Sequence, residues 1–199
     1  MRLRQWVTGV AIALVMLPPR HALADSMDLA LSILVDVSGS VSTSEFNVMR
    51  DGYVSAFRDD VLVQRIQMGT YGRIAAQFIY WSGAAQQNLA VDWRVISDDA
   101  SAEAFADAIA AAARPFSGST APGSAINYAV PQFNRLSTVY GHTADHWTID
   151  VCGDGVQNAG ADTSDARDAA LAAGQDVRVG LSRTSLHIFD AAGAAREDA

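Results

Sequence analysis

Five side chains in this sequence have the types and spacing to do chemistry together, and all five are oxygen donors. The stretch "ILVDVSGSVS", residues 33 to 42, carries Asp36, Ser38 and Ser40 at alternate positions. Thr120 stands in "GSTAPGSAI" and Asp154 in "IDVCGDGVQN". Carboxylates and hydroxyls are hard donors, suited to Mg²⁺, Mn²⁺ or Ca²⁺ rather than to zinc or copper. A magnesium-sized ion wants six oxygens and keeps several waters, so two serines, a threonine and two carboxylates supply part of its shell. If the hydroxyls bind directly and the carboxylates act mainly through water, the ion keeps much of its positive charge. An open position then favours a carboxylate from outside. Each residue alone has a plainer role: the serines and Asp36 as caps of a turn and a helix, Thr120 as an N-cap, Asp154 as a turn aspartate before Gly155. They gain weight as a set.

Elements that would position them can be read along the chain. Residues 29 to 36 form a continuous apolar run, the pattern of a strand covered on both faces. Ser42 and Glu45 make a capping box, after which Phe46, Met49, Tyr53 and Phe57 fall on one helical face. Strands are predicted at residues 74 to 81 and 89 to 96. A helix beginning in "SDDASAEAF" follows, with Phe105 and Ile109 four apart, and Pro115 ends it. The next helix starts near Ala121 with Pro122 in its first turn, and Pro131 should kink or shorten it. A buried strand at residues 147 to 152 and a short helix at 165 to 173, stopped by Gly174, complete the pattern. This alternation implies an α/β fold, a doubly wound and mostly parallel sheet with flanking helices. Sites in such sheets form at the carboxyl ends of strands beside a switch in strand order. Asp36 and Asp154 each end a buried strand and Thr120 precedes a helix, so the three segments can converge.

In that order and context, "DVSGS", "GST" and "GDG" resemble the metal-ion-dependent adhesion site of von Willebrand factor A domains. Asp36, Ser38 and Ser40 match its D-x-S-x-S element, Thr120 its loop threonine and Asp154 its distal aspartate. More closely, "ILVDVSGSVS", "YWSG", "GSTAPGSAI" and "IDVCGDGVQN" resemble a bacterial exported, von Willebrand A-like family known as a domain of unknown function. The resemblance runs from about Leu29 to Gly174 and implies a metal-dependent binding fold. That family continues after its last helix with an apolar strand, a loop and a further helix. Here "QDVRVGLSRTSLHIFDAAGAAREDA" matches only loosely. Val177 and Val179 suit a short edge strand, but the last strand and helix of the family are expected to be missing, as in a truncated or frame-shifted relative. The domain is therefore expected over residues 25 to 182, with a poorly packed tail over 183 to 199.

At 199 residues, half of them hydrophobic, the chain suits one domain with a sizeable core. Residues 1 to 24 read as a secretory signal peptide: Arg2 and Arg4, an apolar stretch from Trp6 to Leu17, then an Ala22-Leu23-Ala24 cleavage site. The stretch is shorter than the ~20 residues of a spanning helix, so no membrane span is expected after cleavage and the location is periplasmic or secreted. Cleavage removes three arginines and no acids, making the formal charge more negative than −8. Such a surface repels nucleic acid and tolerates cations. The one cysteine, Cys152, forms no internal disulfide and reads as a buried core thiol. "HTADH", residues 142 to 146, spaces two histidines as an inverted zincin helix would, but reads as a solvated loop. No G-x-S-x-G elbow, Walker loop or dinucleotide fingerprint occurs. The expected function is an exported, non-enzymatic module that uses a divalent cation, Mg²⁺ first and Mn²⁺ or Ca²⁺ next, to hold an acidic group on a protein or peptide partner. The alternatives are a metal-dependent hydrolase and a truncated family member with little function.

Overall fold

A computed structural model describes residues 25 to 153 and 155 to 181. Residues 1 to 24, where a signal peptide is expected, Asp154 and the residues beyond 181, where a poorly packed tail is expected, lie outside the described residues. The centre of the fold is strand β1 (Asp25–Asp36), whose last five residues are all buried. It pairs in parallel with β2 (Ile74–Trp81) on one side and β4 (His142–Gly153) on the other. Beyond β2 lies the antiparallel β3 (Gln87–Ile96), and beyond β4 the parallel β5 (Asp176–Leu181), giving the order β3-β2-β1-β4-β5. The edge strand expected around Val177 and Val179 is β5.

Helix α1 (Thr43–Phe57) starts at the capping box: the Glu45 amide donates to Ser42 Oγ at 3.2 Å and the Ser42 amide to Glu45 Oε2 at 2.9 Å. Its buried face carries Phe46, Met49, Tyr53 and Phe57. These pack with α3 (Asp99–Ala111) over Phe78 and Tyr80 of β2, with ring pairs Phe46–Tyr80, Tyr53–Phe78 and Phe57–Phe105 between 4.7 and 5.5 Å apart. On the opposite face α4 (Pro122–Thr138) and α5 (Thr163–Ala172) cover Leu34, Ile79, Trp81, Ile149 and Val151. Burying apolar side chains on both faces at roughly 25 cal/mol per Å² is what holds the layers together. Cys152 is buried, its thiol donating to Met49 Sδ at 3.7 Å. No helix among the described residues is long and apolar enough to cross a membrane.

Three expectations are corrected. Helix α2 (Asp60–Gln67) was not anticipated; it is short, buries only Val63 and Ile66, and is capped by Asp59, which accepts from the Val61 amide at 2.8 Å. Pro131 does not shorten α4, which runs through it. Both Pro131 and Asn127, whose carbonyl loses its helical donor to the proline, are exposed, so water can serve that carbonyl. "HTADH" is strand, not loop: β1 begins at Asp25 rather than Leu29, and the additional residues pair Asp25 with His142, Ser26 with Thr143 and Met27 with Ala144, ahead of Leu29 with His146. At about 3.3 Å per residue the two histidines stand about 13 Å apart along the strand, too far to share an ion.

Candidate metal centre

Chain order makes β1 the switch point: the path leaves it toward β2 and β3 on one side and later fills β4 and β5 on the other. Loops from both halves meet at its carboxyl end. Asp36, the last residue of β1, is 0 % exposed, and its Oδ1 accepts from the Ser38 amide at 2.7 Å. This local bond turns the chain sharply out of the strand. Ser38 is also 0 % exposed, and its Oγ lies 3.0 Å from Ser40 Oγ, while Ser40 is at the surface. The donors thus run from a buried floor to an open rim.

Backbone bonds hold this loop. The Val37 amide donates to Trp81 O at 2.8 Å, the Gly39 amide to Gly118 O at 2.7 Å and the Val41 amide to Ser38 O at 3.1 Å. The second segment enters through Gly118. Thr120, 4 % exposed, donates its amide to Asn158 Oδ1 at 2.9 Å and accepts at its carbonyl from the Asn158 amide at 3.0 Å. Its register is set from β2 as well: the Ala121 amide donates to Ser82 O, and Ser82 Oγ to Ser119 O, both at 3.0 Å. Gly118 lies so close to the Gln86 side-chain amide that a Cβ there would collide with its oxygen.

The third segment follows β4. Asp154 is outside the described residues, but its neighbours are not. A Cβ on Gly153 would stand 3.2 Å from Asp36 Oδ2, and one on Gly155 would stand 3.5 Å from Thr120 Oγ1 and 3.7 Å from Ser40 Oγ. Four of the five donors picked out in the sequence are therefore brought together, with the two residues flanking the fifth against them. One carboxylate and three hydroxyls make a hard-oxygen set that suits a Mg²⁺- or Mn²⁺-like ion. No group of three or more His, Cys, Asp or Glu side chains is placed to hold a metal among the described residues.

Sequence reasoning missed two supports. Asn158, in the "GDGVQN" loop, holds both polar groups of the Thr120 backbone. Arg114 donates from Nη2 to Val37 O at 2.9 Å and to Ser38 O at 2.7 Å. An asparagine in a glycine-containing loop is a faint signal; Arg114 carried none.

A five-stranded sheet of this order, with helices on both faces and a D-x-S-x-S loop at the end of its central strand, defines a von Willebrand factor A-like domain. Residues 26–182 match the family described as "Protein of unknown function (DUF1194)", and the chain belongs to that family. A comparison with curated proteins finds no match. Among solved structures, proximal thread matrix protein 1 from the mussel byssus is similar with a TM-score of 0.59 at 17% identity, over 78% of this chain and 38% of that one. A second structure of that mussel protein, at the same TM-score, identity and coverage, is described with a zinc-occupied MIDAS motif. The pilus adhesin SpaC from Lactobacillus rhamnosus GG is similar with a TM-score of 0.55 at 14% identity, over 77% of this chain and 24% of that one. This chain spans well under half the length of either protein, and at these identities the likeness is one of fold.

Proposed function

We propose that this protein is an exported binding module, with its domain over residues 25 to 182, that holds a divalent cation and through it an acidic group on a protein or peptide partner. Asp36, Ser38, Ser40 and Thr120 would hold the ion, with Asp154 at the distal position, and Mg²⁺ is the first choice of cation. The observation that carries this reading is the meeting of hydroxyls from two distant segments: Ser38 and Ser40 Oγ, 3.0 Å apart in one loop, and Thr120 of another, with Thr120 and Ser40 both against Gly155. A helix cap needs one such hydroxyl, and α1 already has Ser42. The zinc-occupied MIDAS motif of the mussel protein supports a divalent cation as a ligand of this fold.

Binding is favoured over catalysis because the donors expected to touch the ion are neutral hydroxyls. They leave its charge available to an outside carboxylate rather than spending it on an activated water. Export rests on the basic start, apolar stretch and small-residue cleavage site of residues 1 to 24.

The test is thermal. A ligand that binds only the folded state adds about 2.7 kcal/mol at a hundredfold excess over Kd, which in a domain of this size raises Tm by about 5–10 °C. Mg²⁺ or Mn²⁺ should produce that rise and EDTA should reverse it. Asp36→Ala and Ser38→Ala should abolish it, and His142→Ala should leave it intact. Identical melting of wild type and Asp36→Ala at every metal concentration would reduce the serines to caps.

A further inference from the structure

We propose that Arg114 is the positioning residue of this centre, a side chain that never touches the ion but presets the Ser38 loop for it; the proposal rests on the metal reading above. Arg114 lies in the loop after α3, six residues before Thr120, and is half-buried. One guanidinium nitrogen, Nη2, reaches two successive carbonyls of the ligand loop, Val37 O at 2.9 Å and Ser38 O at 2.7 Å. Its Nε donates within its own loop to Phe116 O at 3.3 Å, and its central carbon stands 5.8 Å from the centre of the Phe46 ring. Three separate contacts thus fix one planar group between the ligand loop, the Thr120 loop and α1.

Ser38 is consequently held at both of its peptide groups. Its amide is tied to Asp36 Oδ1, and its carbonyl accepts from Arg114 and from the Val41 amide. With both planes fixed, the Cα–Cβ bond of Ser38 has one direction, and Oγ, left with only its staggered χ1 positions, stands 3.0 Å from Ser40 Oγ in the one adopted. Arg114 donates to carbonyls and to neither hydroxyl, so it orders the donors without competing for their lone pairs. It also joins the two ligand loops before any ion arrives. That saves ordering cost on binding, the usual origin of preorganised affinity.

A second effect opposes this. Arg114 is a cation near a cation site, and Coulomb repulsion would make its removal strengthen metal binding. The two effects predict opposite signs. Solvent screening and the two intervening peptide groups weaken the repulsion, whereas lost outer-shell positioning costs about ten- to hundredfold in metal affinity. Positioning is expected to win. Lysine separates the two further, since it keeps the charge but lacks a planar fork.

The experiment is a Mn²⁺ titration followed by electron paramagnetic resonance, in which bound ion leaves the sharp spectrum of free Mn²⁺, with circular dichroism melts of each metal-free variant. Wild type should bind and Asp36→Ala should not; failure of this pair removes the metal reading and this proposal with it. Given binding by wild type, Arg114→Ala and Arg114→Lys should each raise the Mn²⁺ Kd about ten- to hundredfold while still melting cooperatively. Arg50→Ala should keep the wild-type Kd, because Arg50 also stacks on Phe46, at 5.5 Å, but makes no bond to the ligand loop. A folded Arg114→Lys with wild-type Kd would overturn the proposal while leaving the metal reading standing. So would an Arg114→Ala that binds Mn²⁺ more tightly. If Arg114→Ala does not fold, the lysine variant alone decides.

Discussion

Tyr80 shows how a single buried side chain sets a limit on the conditions this fold tolerates. It is fully buried in β2 between Phe46 and Phe78, and its hydroxyl donates to Ala112 O at 3.3 Å. Burial pushes its phenol up to about 12, with Arg50 pulling down and Asp51 adding a little upward. In the unfolded chain the group ionises near ~10. A folded-state pKa above the unfolded one means that the native form holds this proton more tightly. Its contribution is therefore complete below about pH 10 and is lost as pH climbs through about 12. Tyr53 adds to the same alkaline slope, since burial and then the nearby Asp150 raise it as well. Tyr80→Phe should flatten the fall in Tm between about pH 9 and pH 12, at a cost of about 1 kcal/mol at neutral pH for the lost hydrogen bond. Parallel profiles for variant and wild type would assign the slope to other groups. At this scale legibility was uneven for a physical reason. Asp36, Ser38 and Ser40 could be found because their side chains are adjacent in sequence and follow an apolar run. Arg114 could not, because what it binds is backbone, 76 and 77 residues away, which leaves no trace in any side-chain pattern.

Among the elements, those with a strong apolar period and a cap were readable, and those decided by a partner were not. Helix α1 combines a capping box with apolar residues at helical spacing, and β2 and the part of β1 from Leu29 onward are near-continuous apolar runs; these lie close to where the sequence predicts them, whereas the mostly polar start of β1, residues 25 to 28, gives no such signal. Helix α2 has eight residues and two buried side chains, too little period to stand out. The first residues of β4 are polar and become strand only because β1 extends beside them. Helix α4 is the case in which local preference lost outright. Pro131 sits inside it, yet the buried stripe of Ala125, Ile126, Ala129, Phe133 and Leu136 carries the helix past the missing hydrogen bond. A proline in a helix interior is roughly 3 kcal/mol worse than alanine, and an exposed, relaxed site recovers part of that. Pro131→Ala should therefore raise the urea midpoint, with a gain of about 1–3 kcal/mol. An unchanged or lower midpoint would mean that the fixed φ of Pro131 offsets the hydrogen bond it removes.

For the whole molecule, the question is why residues so far apart in the chain should answer to one ligand. Sheet order supplies the reason. Placing β1 in the middle puts its carboxyl end between the loop entering α4 and the loop leaving β4, and three backbone ties, Gly39 to Gly118, Ala121 to Ser82 and Asn158 to Thr120, join those loops to the sheet and to each other. The fold class was legible because strand and helix alternate; the convergence was an expectation from topology, since nothing in spacing measures a distance between loops. An ion held by donors from all three should lower the opening rate of all three at once, because local opening of any one would lose the ion. Hydrogen exchange with and without Mg²⁺ should then show joint extra protection at residues 37 to 41, 118 to 121 and 155 to 159. Helix α2 and the last residues of β3, Val95 and Ile96, which pair with Ala75 and Ile74 at the opposite end of the sheet, should exchange at the same rate in both conditions. Asp36→Ala should erase the difference in all three segments together, although it alters only the first. Protection confined to residues 37 to 41 would point to a local turn site and against a centre shared between the loops. Protection spread evenly over the sheet would indicate stabilisation by ionic strength, which an equal ionic strength of Na⁺ would reproduce.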